Sequence, residues 1–132
     1  MDLQDLEHNA RDGLHIASLA GTWIALVNGF GGMRDHAGVL SFAPRLPDGF
    51  AALSFSIVRR KLCLRVEVTA SAATYRLTQG MGTLQIVHHG EPLTLNGSDP
   101  IERSIPPSLS REPPAQPPGR EPRRRSPGGV RR

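Results

Sequence analysis

Leu53-Ser-Phe-Ser-Ile-Val-Arg-Arg-Lys-Leu-Cys-Leu-Arg-Val-Glu-Val68 changes polarity at nearly every step on both sides of its central basic residues. Leu53, Phe55 and Ile57 alternate with Ser54, Ser56 and Val58, and Leu62, Leu64, Val66 and Val68 alternate with Cys63, Arg65, Glu67 and Thr69. A period of two puts one set of side chains on each face of a pleated strand. The pair Arg60-Lys61 falls where the hairpin turn belongs. Two antiparallel strands, each with one buried and one wet face, are therefore predicted here.

Working outward, the same period predicts short strands at Val39–Phe42, Thr74–Leu77, Leu84–His88 and Pro92–Leu95. Pro44, Pro47, Gly80, Gly82, Gly90 and Asn96-Gly97 punctuate them. Before residue 33 the period is helical. Leu3, Leu6 and Ala10 form a first helical pattern that Asp12-Gly13 interrupts. Ile16 to Val27 forms a second, apolar around most of its circumference, which predicts a helix buried on several sides. Ser18 or Asp12 is its expected N-cap, and Gly29, Gly31 and Gly32 end it as a terminator and hinge. One or two helices followed by about six strands, with no βαβ alternation, is an α+β order. So apolar a helix needs more neighbours than one partner helix and one sheet supply.

Charge divides the chain differently. It has 132 residues with 16 Lys+Arg against 12 Asp+Glu. Seven of those Arg and two of the Glu lie from Pro106 onward, with eight of the 12 prolines, so the first 105 residues carry a slight negative excess. A basic nucleic-acid face on the folded part is not expected. The tail, 106–132, is too poor in large apolar residues to offset its ordering entropy and is predicted to be disordered and dispensable. Solvation of its Arg123-Arg-Arg125 run is preferred to polyanion contact. The single cysteine, Cys63, excludes an intrachain disulfide framework. No apolar run approaches the ~18 residues of a membrane span. The acidic first residues are not a signal peptide, and a cytoplasmic protein without membrane contact is expected.

Several rare combinations then occur in order. Asp12-Gly-Leu-His-Ile-Ala-Ser-Leu-Ala-Gly-Thr-Trp23 is followed by Val27-Asn-Gly-Phe-Gly-Gly-Met-Arg34, Leu40-Ser-Phe-Ala-Pro-Arg-Leu-Pro47, Val66-Glu-Val-Thr69, Ala73-Thr-Tyr75 and His89-Gly-Glu-Pro-Leu93. Over residues 1–97 the chain resembles the C-terminal region of glycoside hydrolase family 65, which contains phosphorylases of maltose, trehalose, kojibiose and nigerose and some hydrolases. The resemblance implies that residues 1–33 are the last helical elements of an (α/α)6 barrel, that 34–105 form a small antiparallel β-sandwich domain, and that 106–132 are a Pro/Arg-rich tail. It also implies that the family's general acid, a Glu on the barrel, lies outside this chain, so no catalytic residue is assigned here and the isolated chain should be inactive.

For the full-length enzyme the resemblance implies inverting phosphorolysis of an α-glucosidic disaccharide to β-glucose 1-phosphate. Inorganic phosphate is the co-substrate, no other cofactor is expected, and a homodimer is implied. Phosphate needs a positively biased site with N–H and O–H donors, as a helix N-terminus offers. The Gly13-Leu-His-Ile-Ala-Ser18 segment has that form, and His15 and Ser18 are carried over as phosphate-binding residues. A histidine bonded to a local carbonyl is the structural alternative for His15, and a helix cap for Ser18; the cap and anion roles are compatible. His36, His88 and His89 are read as surface-loop histidines, and no metal site is expected. Asp35-His36 lacks a nearby nucleophile for a triad. Trp23 is read as core or barrel packing ahead of sugar stacking, and Cys63 as a residue on the wet strand face or in a small interdomain contact, ahead of a reactive thiol. The alternative to an enzyme fragment is a free-standing β-sandwich binding module with a basic tail, which would have no need of the helix or its His15–Ser18 turn.

Overall fold

The computed structural model describes residues 8, 13 and 15–108. The expected first helix and the tail from 109 onward lie outside these residues.

Helix α1 (Ile16–Ile24) runs straight into a π-helical segment, Ala25–Phe30. Gly31 follows at φ −70°, and Gly32, at a left-handed φ of +61°, turns the chain out. Eight strands come next: β1 (Arg34–His36), β2 (Val39–Phe42), β3 (Leu53–Arg59), β4 (Leu62–Val68), β5 (Ala72–Gln79), β6 (Thr83–His88), β7 (Glu91–Asn96) and β8 (Ile101–Ser104). They form two four-stranded sheets, ordered β1-β2-β6-β7 (sheet one) and β3-β4-β5-β8 (sheet two).

Sheet two contains the hairpin expected from the alternation. Leu53 pairs with Val68 and Arg59 with Leu62, which leaves Arg60-Lys61 as a two-residue turn with φ of +50° and +67°. Positive φ at both central residues is the I′ geometry that matches strand twist. Sheet one departs from a pure antiparallel meander. Leu40 pairs with Ile86 and Phe42 with His88 in parallel, so β2 joins a strand far along the chain. β1 and β8 add to the six strands expected from sequence.

The inner faces form one core. Sheet one contributes Leu40, Phe42, Leu84, Ile86, Leu93 and Leu95, and sheet two Phe55, Leu64, Val66, Val68, Ala73, Tyr75 and Leu77. Phe42 lies between the sheets, its ring 5.4 Å from that of Tyr75 and 6.4 Å from that of Phe55. Offset, tilted rings at these separations are favourable aromatic pairs.

The helical segment reaches this core at its end only. Val27 is buried, and no residue of α1 is. Ile16 is 69% exposed, Ile24 51% and Trp23 44%, so within this chain the helix is not buried on several sides and Trp23 is not core. The glycine junction is packed instead of open. A Cβ on Gly31 would stand 2.9 Å from Phe55, and one on Gly32 2.2 Å from the Ala43 carbonyl oxygen. The Ala43 N–H donates to Gly32 O (3.2 Å) and the Arg45 N–H to Phe30 O (2.8 Å). This junction terminates the helix as expected, but as a close backbone contact it is ill suited to hinge. At the other end of the described chain, Arg45 Nη1 donates to Pro106 O (2.9 Å), so the first residue of the expected tail is tethered.

Candidate functional site

The N-terminal turn of α1 holds both residues expected to bind phosphate. His15 occupies the N-cap position, and its carbonyl accepts from the Ser18 N–H (2.9 Å) and the Leu19 N–H (3.2 Å). Ser18 is therefore three residues inside the helix and is not the N-cap; Asp12 lies outside the described residues. The backbone forces this assignment, because the cap residue's carbonyl accepts the first helical bonds. Both residues are exposed, and the first turn carries no acidic side chain. An exposed helix N-terminus with N–H groups, a hydroxyl and an imidazole on one turn is biased toward anions.

Two histidines differ from the surface-loop reading. His88 is 3% exposed and lies on the inner face of β6. Tyr75 Oη lies 2.8 Å from its Nδ1, and Ser104 O lies 3.1 Å from its Nε2. A carbonyl only accepts, so Nε2 carries the hydrogen and Nδ1 accepts from the Tyr75 hydroxyl. Burial pushes the Tyr75 phenol above its ordinary value, which keeps it a donor. One imidazole thus joins β6 of sheet one to β5 and β8 of sheet two. The signal was present in sequence: Leu84, Ile86 and His88 stand two apart and share a face.

His89 is half-buried in the β6–β7 turn, with φ +46° beside Gly90 at +90°. Its ring meets that of His88 edge-on, with centroids 4.8 Å apart. Burial lowers its pKa, and repulsion from Arg45, and from the His88 ring whenever that ring is protonated, lowers it further, against a hydrogen bond to the Pro44 carbonyl. Asp35 pairs with Arg59 (2.5 Å), whose Nη2 also donates to Gly38 O (2.7 Å), so this carboxylate serves to link β1 to β3. Cys63 is half-buried on the outward face of β4, as expected. No helix among the described residues is long and apolar enough to cross a membrane.

Residues 33–95 match the model of the glycosyl hydrolase family 65 C-terminal domain. They belong to that domain family. The boundary coincides with the exit from the glycine junction, where the period changes from helix to strand. Beyond the domain, 92% of the chain is 50% identical over 126 residues to an uncharacterized glycosyl hydrolase of Mycobacterium leprae. An alpha,alpha-trehalose phosphorylase of Thermoanaerobacter brockii is 45% identical over 80 residues, 61% of this chain and 10% of its own length. A putative kojibiose phosphorylase from the human microbiome shares the fold, with a TM-score of 0.69 at 23% identity over 81% of this chain and 15% of its own. The chain spans 16% of the length of the Mycobacterium relative. The glycosyl hydrolase family 65 C-terminal domain thus has relatives named as trehalose and kojibiose phosphorylases, and the helix before it lies within the aligned span of the Mycobacterium protein.

Proposed function

We propose that this chain acts as the C-terminal part of a family 65 disaccharide phosphorylase and contributes His15 and Ser18 to the phosphate site. The observation that carries the reading is the N-terminal turn of α1, where both side chains are exposed on one anion-biased turn. In the reaction a carboxylic acid on a catalytic barrel outside these residues protonates the glycosidic oxygen of an α-glucosidic disaccharide. Phosphate attacks the anomeric carbon from the opposite face and gives β-glucose 1-phosphate. Phosphate is already anionic, so the site needs donors and positive bias rather than a base. The exposed Ile16, Trp23 and Ile24 support the reading, because they give α1 an apolar face for a barrel to cover. In such an enzyme the partners are the disaccharide, phosphate and a second subunit, and the setting is the cytoplasm.

The test is a chimera in which this chain replaces the corresponding region of the Thermoanaerobacter trehalose phosphorylase. His15→Ala removes a charge-assisted donor of ~1.5–3 kcal/mol, so phosphate half-saturation should rise roughly ten- to a hundredfold at saturating trehalose. An active chimera whose phosphate half-saturation ignores the substitution would return His15 to a structural role. The β-sandwich core closes on itself without α1, which favours a second reading as a binding module. That reading expects a purified β-domain, residues 33–108, to fold and bind alone.

A further inference from the structure

The two sheets have four edge strands between them, β1 and β7 in sheet one and β3 and β8 in sheet two, and three of these edges are protected. β1 is three exposed polar residues, Arg34–His36. β8 is four residues set between Pro100 and Pro106. β7 carries Pro92 next to the pair His88–Glu91 that closes the two-residue β6–β7 turn, so the nitrogen it turns outward has no hydrogen. Shortness, charge and proline are the usual devices that keep an edge from pairing with another chain. β3 has none of them. It runs seven residues, Leu53-Ser-Phe-Ser-Ile-Val-Arg59, with no proline and one charge at its end.

The β3–β4 turn fixes which backbone groups this edge presents. Arg59 and Leu62 flank a two-residue turn and bond to each other, and the pairs alternate from there. Leu53, Phe55, Ile57 and Arg59 therefore bond to β4, while the N–H and C=O groups of Ser54, Ser56 and Val58 point away from it. Among the described residues, no turn, loop or cap hydrogen bond reaches these three. All three are exposed, Val58 at 77%. Beside them Trp23, Met33, Leu40 and Ile57 line an open cleft of about 390 Å³, which gives an added strand apolar surface to cover.

Such an edge needs a strand whose outward groups have the same spacing, and β3 itself is one. With a two-fold axis at Ser56, a second β3 sets Ser56 against Ser56 of the second copy, and Ser54 against Val58. All three positions with free groups then meet, and each such pair exchanges two backbone bonds. A register two residues off, in either direction, leaves one of the three unmatched. Side chains and charge match as well. Phe55 meets Ile57 on the inner face, and Arg59 meets Leu53 rather than another arginine.

We propose that β3 pairs antiparallel with β3 of a second copy of this chain, joining two four-stranded sheets into one continuous sheet about an axis at Ser56. The contact lies apart from the His15–Ser18 turn, so sedimentation tests the one and phosphate titration the other.

The experiment is sedimentation equilibrium of the full chain, alone and with charge placed at the axis. Wild type should give a reversible monomer–dimer equilibrium with a dissociation constant of roughly 1–100 µM, the weak range expected of a small interface. Ser56→Glu faces Arg65 within its own chain, which favours the fold, and faces its own image across the axis. Ser56→Lys likewise meets its own image. Each variant alone should dimerise roughly tenfold more weakly, or worse. An equimolar mixture of the two should recover the dimer, because opposite charges then meet at the axis, and a folding defect cannot give that recovery. Monomer at every concentration up to about 1 mM, a dimer that neither substitution weakens, or a mixture no tighter than its components would overturn the proposal.

Discussion

Replacing Tyr75 with Phe deletes one oxygen atom from the centre of the sandwich, and its cost follows from what that oxygen serves. Tyr75 is 0% exposed and His88 3%, so water cannot reach the imidazole when the hydroxyl is gone. The remaining phenyl ring keeps its place beside Phe42, 5.4 Å away, and no cavity term of consequence arises. The loss is therefore the 2.8 Å hydrogen bond together with the stranding of Nδ1. Leaving one buried partner unsatisfied costs ~1–3 kcal/mol. Taking about 2 kcal/mol and the entropy of a domain of this size, Tm should fall by roughly 8–16 °C. Urea unfolding followed by circular dichroism should show the same loss as a lower midpoint at unchanged slope. In the His88→Leu background the hydroxyl has already lost its acceptor, so a double-mutant cycle should return a coupling of about 1–2 kcal/mol. A loss below about 0.5 kcal/mol in the single variant would refute the argument that this bond ties the two sheets together.

Three further outcomes follow from backbone and charge. Arg60-Lys61→Asn-Gly places the residues best suited to positive φ in the β3–β4 turn and should stabilise by about 1 kcal/mol, read by urea midpoint. Gly32→Ala puts a methyl 2.2 Å from the Ala43 carbonyl at a left-handed φ, and should cost at least about 2 kcal/mol in the same assay; a wild-type midpoint would mean that the junction is loose. Burial and nearby charge lower the pKa of His89, so the unfolded chain binds its proton more readily. Its contribution is present above the ordinary histidine value of about 6.5 and is lost as pH falls below it, and His89→Asn should flatten that part of the stability profile.

Sheet two was the most legible part of the sequence, because β3 and β4 alternate over seven residues each and face one core. β1 is three exposed polar residues, Arg34–His36, and carries no periodic signal. β8 is four residues among prolines and reads as loop until Tyr75 and Ile101 are seen to pair. The parallel pairing of β2 with β6 leaves no local trace, since it depends on residues 46 positions apart, as Leu40 and Ile86 are. The apolarity of Ile16–Ile24 correctly signalled a helix but misjudged its burial, because hydrophobicity reports a need for cover and not what supplies it. His15 and Ser18 were visible as residues, and their shared turn follows from helical spacing.

The parallel partner of β2 also sets the order of events during synthesis. Leu40 and Phe42 leave the ribosome early, yet the strand they pair with, β6, is made only after all of β3, β4 and β5. At ~5–20 residues per second this interval lasts about 2–8 s. The nascent chain can build the β3–β4–β5 meander from near-neighbour hairpins in that time, while β2 waits with its apolar residues and one strand edge uncovered. Sheet one is therefore the late-forming half. Slow translation, or any variant that delays β6, should show itself as aggregation of newly made chains before it shows as lower stability of the finished domain.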